Sequence, residues 1–204
     1  NTFETNPWTE EFGDPEFRQR VLDTAAKAVA LDPRYARARS QYAQQLVASK
    51  RFEEALAQAE EAKLLGSNEF EFLASLAAFY HQWGDHETAL TYERRAIEAD
   101  PITRPTTLNL YGRMLFLVGD FEESVAASRR CIGQERAITS CRLNLIAALA
   151  RLERHTEARQ VLADYLEIEP SFNLRSARTT LFRMRRPEDI DNLVDALRLA
   201  GVPE

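Results

Sequence analysis

Apolar positions along the chain recur at helical spacing. Leu73, Leu76, Ala77 and Tyr80 fall at i, i+3, i+4 and i+7, one face of a helix. Gly84-Asp85 interrupts that face, and Ala89, Leu90, Ala96 and Ile97 mark a second helix ending before Pro101. The same two-helix figure returns along the chain. The small or aliphatic residue near the start of each second helix is Val21, Ala55, Ala89, Ser124 and Ala158, at intervals of 34, 34, 35 and 34 residues. The residue near that helix's end, at Ala28, Ala62, Ala96, Cys131 and Tyr165, keeps the same intervals, and so do the unit ends Pro33, Ser67, Pro101, Arg136 and Pro170. Three landmarks share one phase, including one slip near Arg104. No stretch sustains period-two alternation, so the pattern predicts an all-α protein without a β-sheet.

A single helical hairpin cannot bury its apolar face, so neighbouring units must stack. Ala43, Ala77 and Gly112 allow the two helices of a unit to approach closely, and Ile146 fills that slot in the last unit. The phase predicts a half repeat over 14–35 and repeats over 36–69, 70–103, 105–138 and 139–172, with capping helices in 173–204. Residues 1–13 then form an N-terminal extension or a degenerate first helix. Asp14 is placed to cap a helix opening with Pro15 and running to about Leu31. The segment from Phe172 to Met184 reads as helical. Pro187 opens a last amphipathic helix with Ile190, Leu193, Val194 and Leu197 on one face, expected to cover the open end of the stack.

These landmarks resemble the tetratricopeptide repeat (TPR), whose pattern is Trp-x2-Leu-Gly-x2-Tyr, then Ala-x3-Phe, then Pro. Leu73, Leu76, Ala77, Tyr80, Ala89 and Pro101 match it best, followed by Leu108, Tyr111, Gly112 and Leu115 with the turn Gly119-Asp120-Phe121. The late aromatic of the second helix is replaced by Ala59, Glu93 and Ser128 in three units. The resemblance implies a TPR-type α-α superhelix of stacked antiparallel helix pairs with a C-terminal capping helix. It also implies a non-enzymatic interaction module whose partner is a protein or peptide held on the concave face lined by first helices. The ending from Asp195 to Glu204 is similar to the tail of TPR regions in bacterial signalling proteins, such as class III adenylate or guanylate cyclases and winged-helix regulators. That similarity implies a regulatory role and contact with other domains of a parent protein. A free-standing TPR adaptor is the alternative. The absent initiator Met points to a piece of a longer chain.

Composition narrows the chemistry. The chain has 204 residues, 45% hydrophobic and 28% charged, with a formal net charge of −6. A globally acidic chain is a poor match for phosphate backbones, so nucleic acid is not the expected partner. No apolar run approaches the ~20 residues needed to span a bilayer, and the start lacks the order of a signal peptide, so a cytoplasmic location is expected. His86-Glu87 begins like a zinc-protease helix, but Leu90 stands where a second His is needed. No glycine-rich phosphate loop or nucleophile elbow is present. Catalytic residues, metal and cofactor are accordingly all expected to be none. His86 and His155 occupy equivalent turn positions and read as packing residues, whereas His81 is placed to face the groove. Cys131 sits where other units mostly carry Ala; with Cys141 near it, a disulfide is conceivable, but a reduced pair is expected.

By phase, the polar residues of the first helices that line the groove are Arg37, Gln41 and Gln44, then Asn109 and Arg113, and finally Asn144 and Arg151, with Ser75 and Ala78 between them. Arg and Asn side chains suit a peptide backbone or an acidic side chain. Asn109, Arg113 and Asn144 match only part of the two-unit carboxylate clamp of chaperone-binding TPR proteins, and Ser40, Gln44 and Ser75 do not supply the rest. As groove residues, Arg113 and Asn144 are expected to be replaceable at little cost in stability. A basic run, Arg175, Arg178, Arg183, Arg185 and Arg186, has no acidic residue between Pro170 and Pro187. It is placed to meet an anionic partner, a neighbouring domain or nearby acids.

Overall fold

A computed structural model describes residues 14–100, 103–135, 138–180 and 183–204. The N-terminal extension, with Trp8, and the unit ends Pro101 and Arg136 lie outside the described residues. Among those residues there are eleven α-helices and no strand. They are α1 (Pro15–Leu31), α2 (Ala36–Ala48), α3 (Phe52–Leu65), α4 (Phe70–Trp83), α5 (His86–Ala99), α6 (Pro105–Val118), α7 (Phe121–Gln134), α8 (Ser140–Arg151), α9 (His155–Ile168), α10 (Leu174–Thr180) and α11 (Pro187–Leu199). Asp14 caps α1 as its position suggests, Oδ1 accepting from the Glu16 amide at 2.9 Å.

Each pair, α2/α3, α4/α5, α6/α7 and α8/α9, is closed by the same backbone device. The amides of Arg51, Asp85, Asp120 and Arg154 donate to the carbonyls of Leu46, Tyr80, Leu115 and Leu149, five residues back, at 2.9–3.0 Å. This six-to-one bond needs a left-handed residue just before the donor. Lys50 (φ 59°), Gly84 (96°), Gly119 (89°) and Glu153 (59°) occupy that place. The hairpin turn therefore recurs with the period of the side chains, even where no glycine is present to serve it.

Packing follows the predicted phase. Ala43, Ala55, Ala62, Ala77, Ala89, Ala96 and Ala158 are fully buried where the helices cross. First helices lie side by side as α2 on α4 and α6 on α8, whereas α4 and α6 approach over only a short stretch. The junction of those two is where the repeat carries its extra residue. Most of the core falls into two large clusters that meet across α6: Met114 and Leu115 pack toward α1–α5, and Phe116 packs toward α8, α9 and α11, while Leu108, Cys131 and Cys141 form a small third cluster.

Two sequence expectations change. Cys131 and Cys141 form a disulfide, with Cα atoms 6.3 Å apart and both residues fully buried. The end of α7 and the start of α8 are only ten residues apart and face each other, which places the two Cα atoms within bonding range. The second change concerns Glu93, at the position where the repeat pattern carries an aromatic. Its carboxylate is buried, and neither oxygen has a hydrogen-bond partner among the described residues. Burial pushes its pKa up to about 8. Folding therefore favours the protonated form between the ordinary value of 4.5 and about 8. Stability contributed by this group is complete below the first value and is lost as pH rises toward the second. Chemical denaturation across that window should show stability falling with pH in the wild type, and Glu93→Gln should flatten that slope.

Candidate functional site

The surface formed by the first helices divides into two unlike halves. Its C-terminal half is occupied by the chain itself. α11 lies against α8 and α6, and its leading arm, residues 183–186, reaches the end of α4. The Arg185 amide donates to the Gln82 carbonyl at 2.9 Å, and its Nε donates to the Trp83 carbonyl at 2.9 Å. The Arg185 guanidinium also lies 4.2 Å from the centroid of the Trp83 ring, which stacks on Phe79. Arg186 donates to the Gly84 carbonyl at 3.2 Å and to Glu188 at 2.9 Å. These carbonyls belong to the last turn of α4 and its cap, which have no intrahelical donor to satisfy them. Gly84 is needed here twice over. Its φ is left-handed, and a Cβ would lie 2.1 Å from Arg186 Cδ.

The helix that follows is seated by ions and by apolar burial. Asp189 Oδ2 lies 3.0 Å from His86 Nε2 and 3.7 Å from Arg186 Nε, and both His86 and Asp189 are buried. Arg151 donates to the carbonyl and Oδ1 of Asn192 at 3.1 and 2.6 Å. Leu193, Val194 and Leu197 join the core, as their spacing predicts, while Ile190 remains partly buried. α8 is consequently buried on every side from Cys141 to Ala150. The expected cap thus also lies within the groove. Of the basic run, Arg178 pairs with Asp191 at 2.6 Å, and Arg185 and Arg186 are spent on α4. His81 is buried beside His86, with ring centroids 5.3 Å apart, and does not face an open groove. Burial, followed by Arg113 and His86 nearby, holds its pKa well below the usual imidazole range.

The seven groove residues separate accordingly. Asn144 is fully buried and donates to the Asn109 carbonyl and Oδ1 at 2.8 and 2.9 Å, while accepting from Arg113 Nε at 3.4 Å. Gln44 makes the equivalent bond between α2 and α4, donating to the carbonyl and Oγ of Ser75 at 2.9 and 2.8 Å. Both pairs span 31 residues, so one polar bridge between successive first helices recurs at one register. Arg113 retains partial exposure, yet surrounding protein lowers its guanidinium pKa to about 10. Asn109, Arg113 and Arg151 are partly exposed, and Arg37, Gln41 and Gln44 line a cleft. With parts of α1 and α4 they enclose a cleft of about 640 Å³.

Among the described residues, no three His, Cys, Asp or Glu side chains are grouped to hold a metal ion. No described helix is long and apolar enough to cross a membrane. The family model for the tetratricopeptide repeat matches residues 70–103, the α4/α5 pair. Solved structures extend the likeness over nearly the whole chain. The crystal structure of YrrB, described as a TPR protein with an unusual peptide-binding site, superposes with a TM-score of 0.58 at 18% identity, covering 86% of this chain and 90% of that one. The fold is a TPR superhelix. A crystal structure of MamA matches the array with a TM-score of 0.56 at 16% identity, over 77% of this chain and 91% of that one. The Cut9-Hcn1 hetero-tetramer of the APC/C matches with 0.60 at 17% identity, over 90% of this chain and 36% of that one. No curated protein sequence matches the chain significantly.

Sequence reasoning missed the residues that seat the arm, His86, Asp189, Arg185 and Asn192. The basic run gave a signal, but its targets are backbone carbonyls, which no residue pattern reveals. It also placed Asn144 on an open face. The structure makes Asn144 a buried bridge, so the expectation of little stability cost is corrected. Removing its amide leaves the Asn109 carbonyl and the Arg113 guanidinium without their shared partner, a loss of about 1–3 kcal/mol for a buried polar group. Asn144→Ala should lower the melting temperature by several degrees, whereas Gln41→Ala, at an exposed site, should leave it nearly unchanged.

Proposed function

We propose that this TPR array is a protein-interaction module whose working surface is the N-terminal half of the concave face. The observation that carries this reading is the asymmetry of that face. α11 fills the half built by α6 and α8, while α1, α2 and α4 leave a cleft lined by Arg37, Gln41 and Gln44. The peptide-binding site named for YrrB supports a peptide or protein as the partner class. The finer reading places the array in a bacterial signalling protein, such as a nucleotide cyclase, on the strength of the wording from Asp195 to Glu204. A free-standing adaptor fits equally well. In either case the array itself acts by binding, and any catalysis belongs to another domain or another protein.

Site-specific photo-crosslinking tests the surface directly. A photoreactive residue at Gln41, exposed on α2, should join the chain to a partner in its native cells. The same probe at Glu61 or Arg159, exposed on second helices, should not. Crosslinks arising only from the second helices would overturn the assignment of the concave face.

A further inference from the structure

Two positions of the repeat flank every hairpin turn, one near the end of the first helix and one at the start of the second. Val47, His81, Phe116 and Ala150 hold the first place, and Phe52, His86, Phe121 and His155 the second, at intervals of 34, 35 and 34 residues. In the α6/α7 pair both are phenylalanines, with ring centroids 5.5 Å apart and planes inclined by 53°. In the α4/α5 pair His81 and His86 reproduce that arrangement at 5.3 Å and 55°. Two ionisable rings thus stand in the slot of an apolar pair, in the unit that the C-terminal arm grips. Both are buried, and neither ring nitrogen of His81 has a hydrogen-bond partner among the described residues.

We propose that His81 and His86 form an acid-operated latch: when both rings are charged, the arm at 183–186 and the first turn of α11 leave α4 and α5, while the repeat pairs stay folded. The charges around the pair support this. Asp189, in the first turn of α11, lies 3.0 Å from His86 Nε2 and answers one positive charge there. The same carboxylate already has Arg186 at 3.7 Å, and Arg186 also pairs with Glu188. A second charge, on His81, is opposed by burial first, then by Arg113 from α6 and by His86 itself. Glu93, two turns along α5, is buried and favours its own neutral form. On the α3 side Glu60 is engaged by Lys63 and Tyr80, and α2 carries no acid. The closed joint therefore favours a neutral His81. That contribution is complete above the ordinary imidazole value of 6.5 and is lost as pH falls below it. The arm is the part that yields. It meets α4 through hydrogen bonds and the contact of the exposed Arg185 with Trp83, whereas α4 and α5 share the fully buried Leu76, Ala77, Phe79 and Ala89. Local opening costs least where few apolar contacts are broken.

Hydrogen exchange of the full chain, read by mass spectrometry and corrected for the intrinsic rate at each pH, tests the latch. The Arg185 amide, bonded to the Gln82 carbonyl in the closed joint, reports the arm. Between about pH 7.5 and 5.5, either side of the ordinary imidazole value, exchange of the segment 183–190 should rise at least about tenfold while α5 stays protected. His81→Phe restores the ring pair of the neighbouring unit, and His81→Gln keeps a polar group that takes no charge; each should abolish the rise. Asp189→Asn removes the answering acid and should move the rise to higher pH. A wild-type arm whose corrected exchange is flat across this range overturns the proposal. So does a rise that survives both His81 substitutions, or one that Asp189→Asn leaves in place. An arm that opens only together with α5 also overturns it, because that is general acid unfolding and not a latch.

Discussion

A pair of helices of this length covers only one side of itself, and the whole molecule is arranged around that shortfall. Each unit seals its inner seam with alanine and glycine, then leaves an apolar flank for the next unit. The repeat can therefore propagate, but it cannot stop without help. At one end the chain supplies its own stop. The Tyr165–Phe172 contact, with centroids 4.8 Å apart, and the apolar stripe of α11 close the last pair.

The arm before α11 shows how an array of equivalent units becomes unequal. α4 and α6 approach over only a short stretch, and the charged groups that seat α11 gather near that junction. Asp189 meets His86, and Arg185 and Arg186 satisfy the carbonyls that end α4. Buried charge is tolerated there because each group has a counterpart, the condition under which burial costs least. Glu93 differs: among the described residues its carboxyl has no such partner, and its proton affinity rises instead.

Most of the fold was legible in the sequence because its information is periodic. Val21, Ala55, Ala89, Ser124 and Ala158 mark the phase, and the turns at Lys50, Gly84, Gly119 and Glu153 repeat it in the backbone. Phase also brought Arg37, Gln41 and Gln44 to one cleft. What the sequence did not show were events outside the period. Phase set Asn144 on a first helix, yet could not foresee that Asn109 and Arg113 would consume its amide, because those bonds depend on how close α6 and α8 lie. The spacing of Cys131 and Cys141 did not show that α7 and α8 bring their Cα atoms to 6.3 Å, within range of the disulfide. Apolar spacing identified the buried side of α11 but not which neighbouring surface it would meet.

The arm's return to α4 also changes the topology of the array. Contacts within and between neighbouring repeats join residues close in sequence, and such an array can lose structure from either end one unit at a time. The bonds from Arg185 to Trp83 and from Arg186 to Gly84 span 102 residues. They tie the C-terminal element to the second complete pair, so the last two pairs cannot fray away while the arm is in place. A row of units is thereby fastened into a loop. Those long-range bonds close at a greater entropic cost than any turn between repeats, which makes the arm the natural last step of folding and the clasp that holds the C-terminal half as one cooperative block.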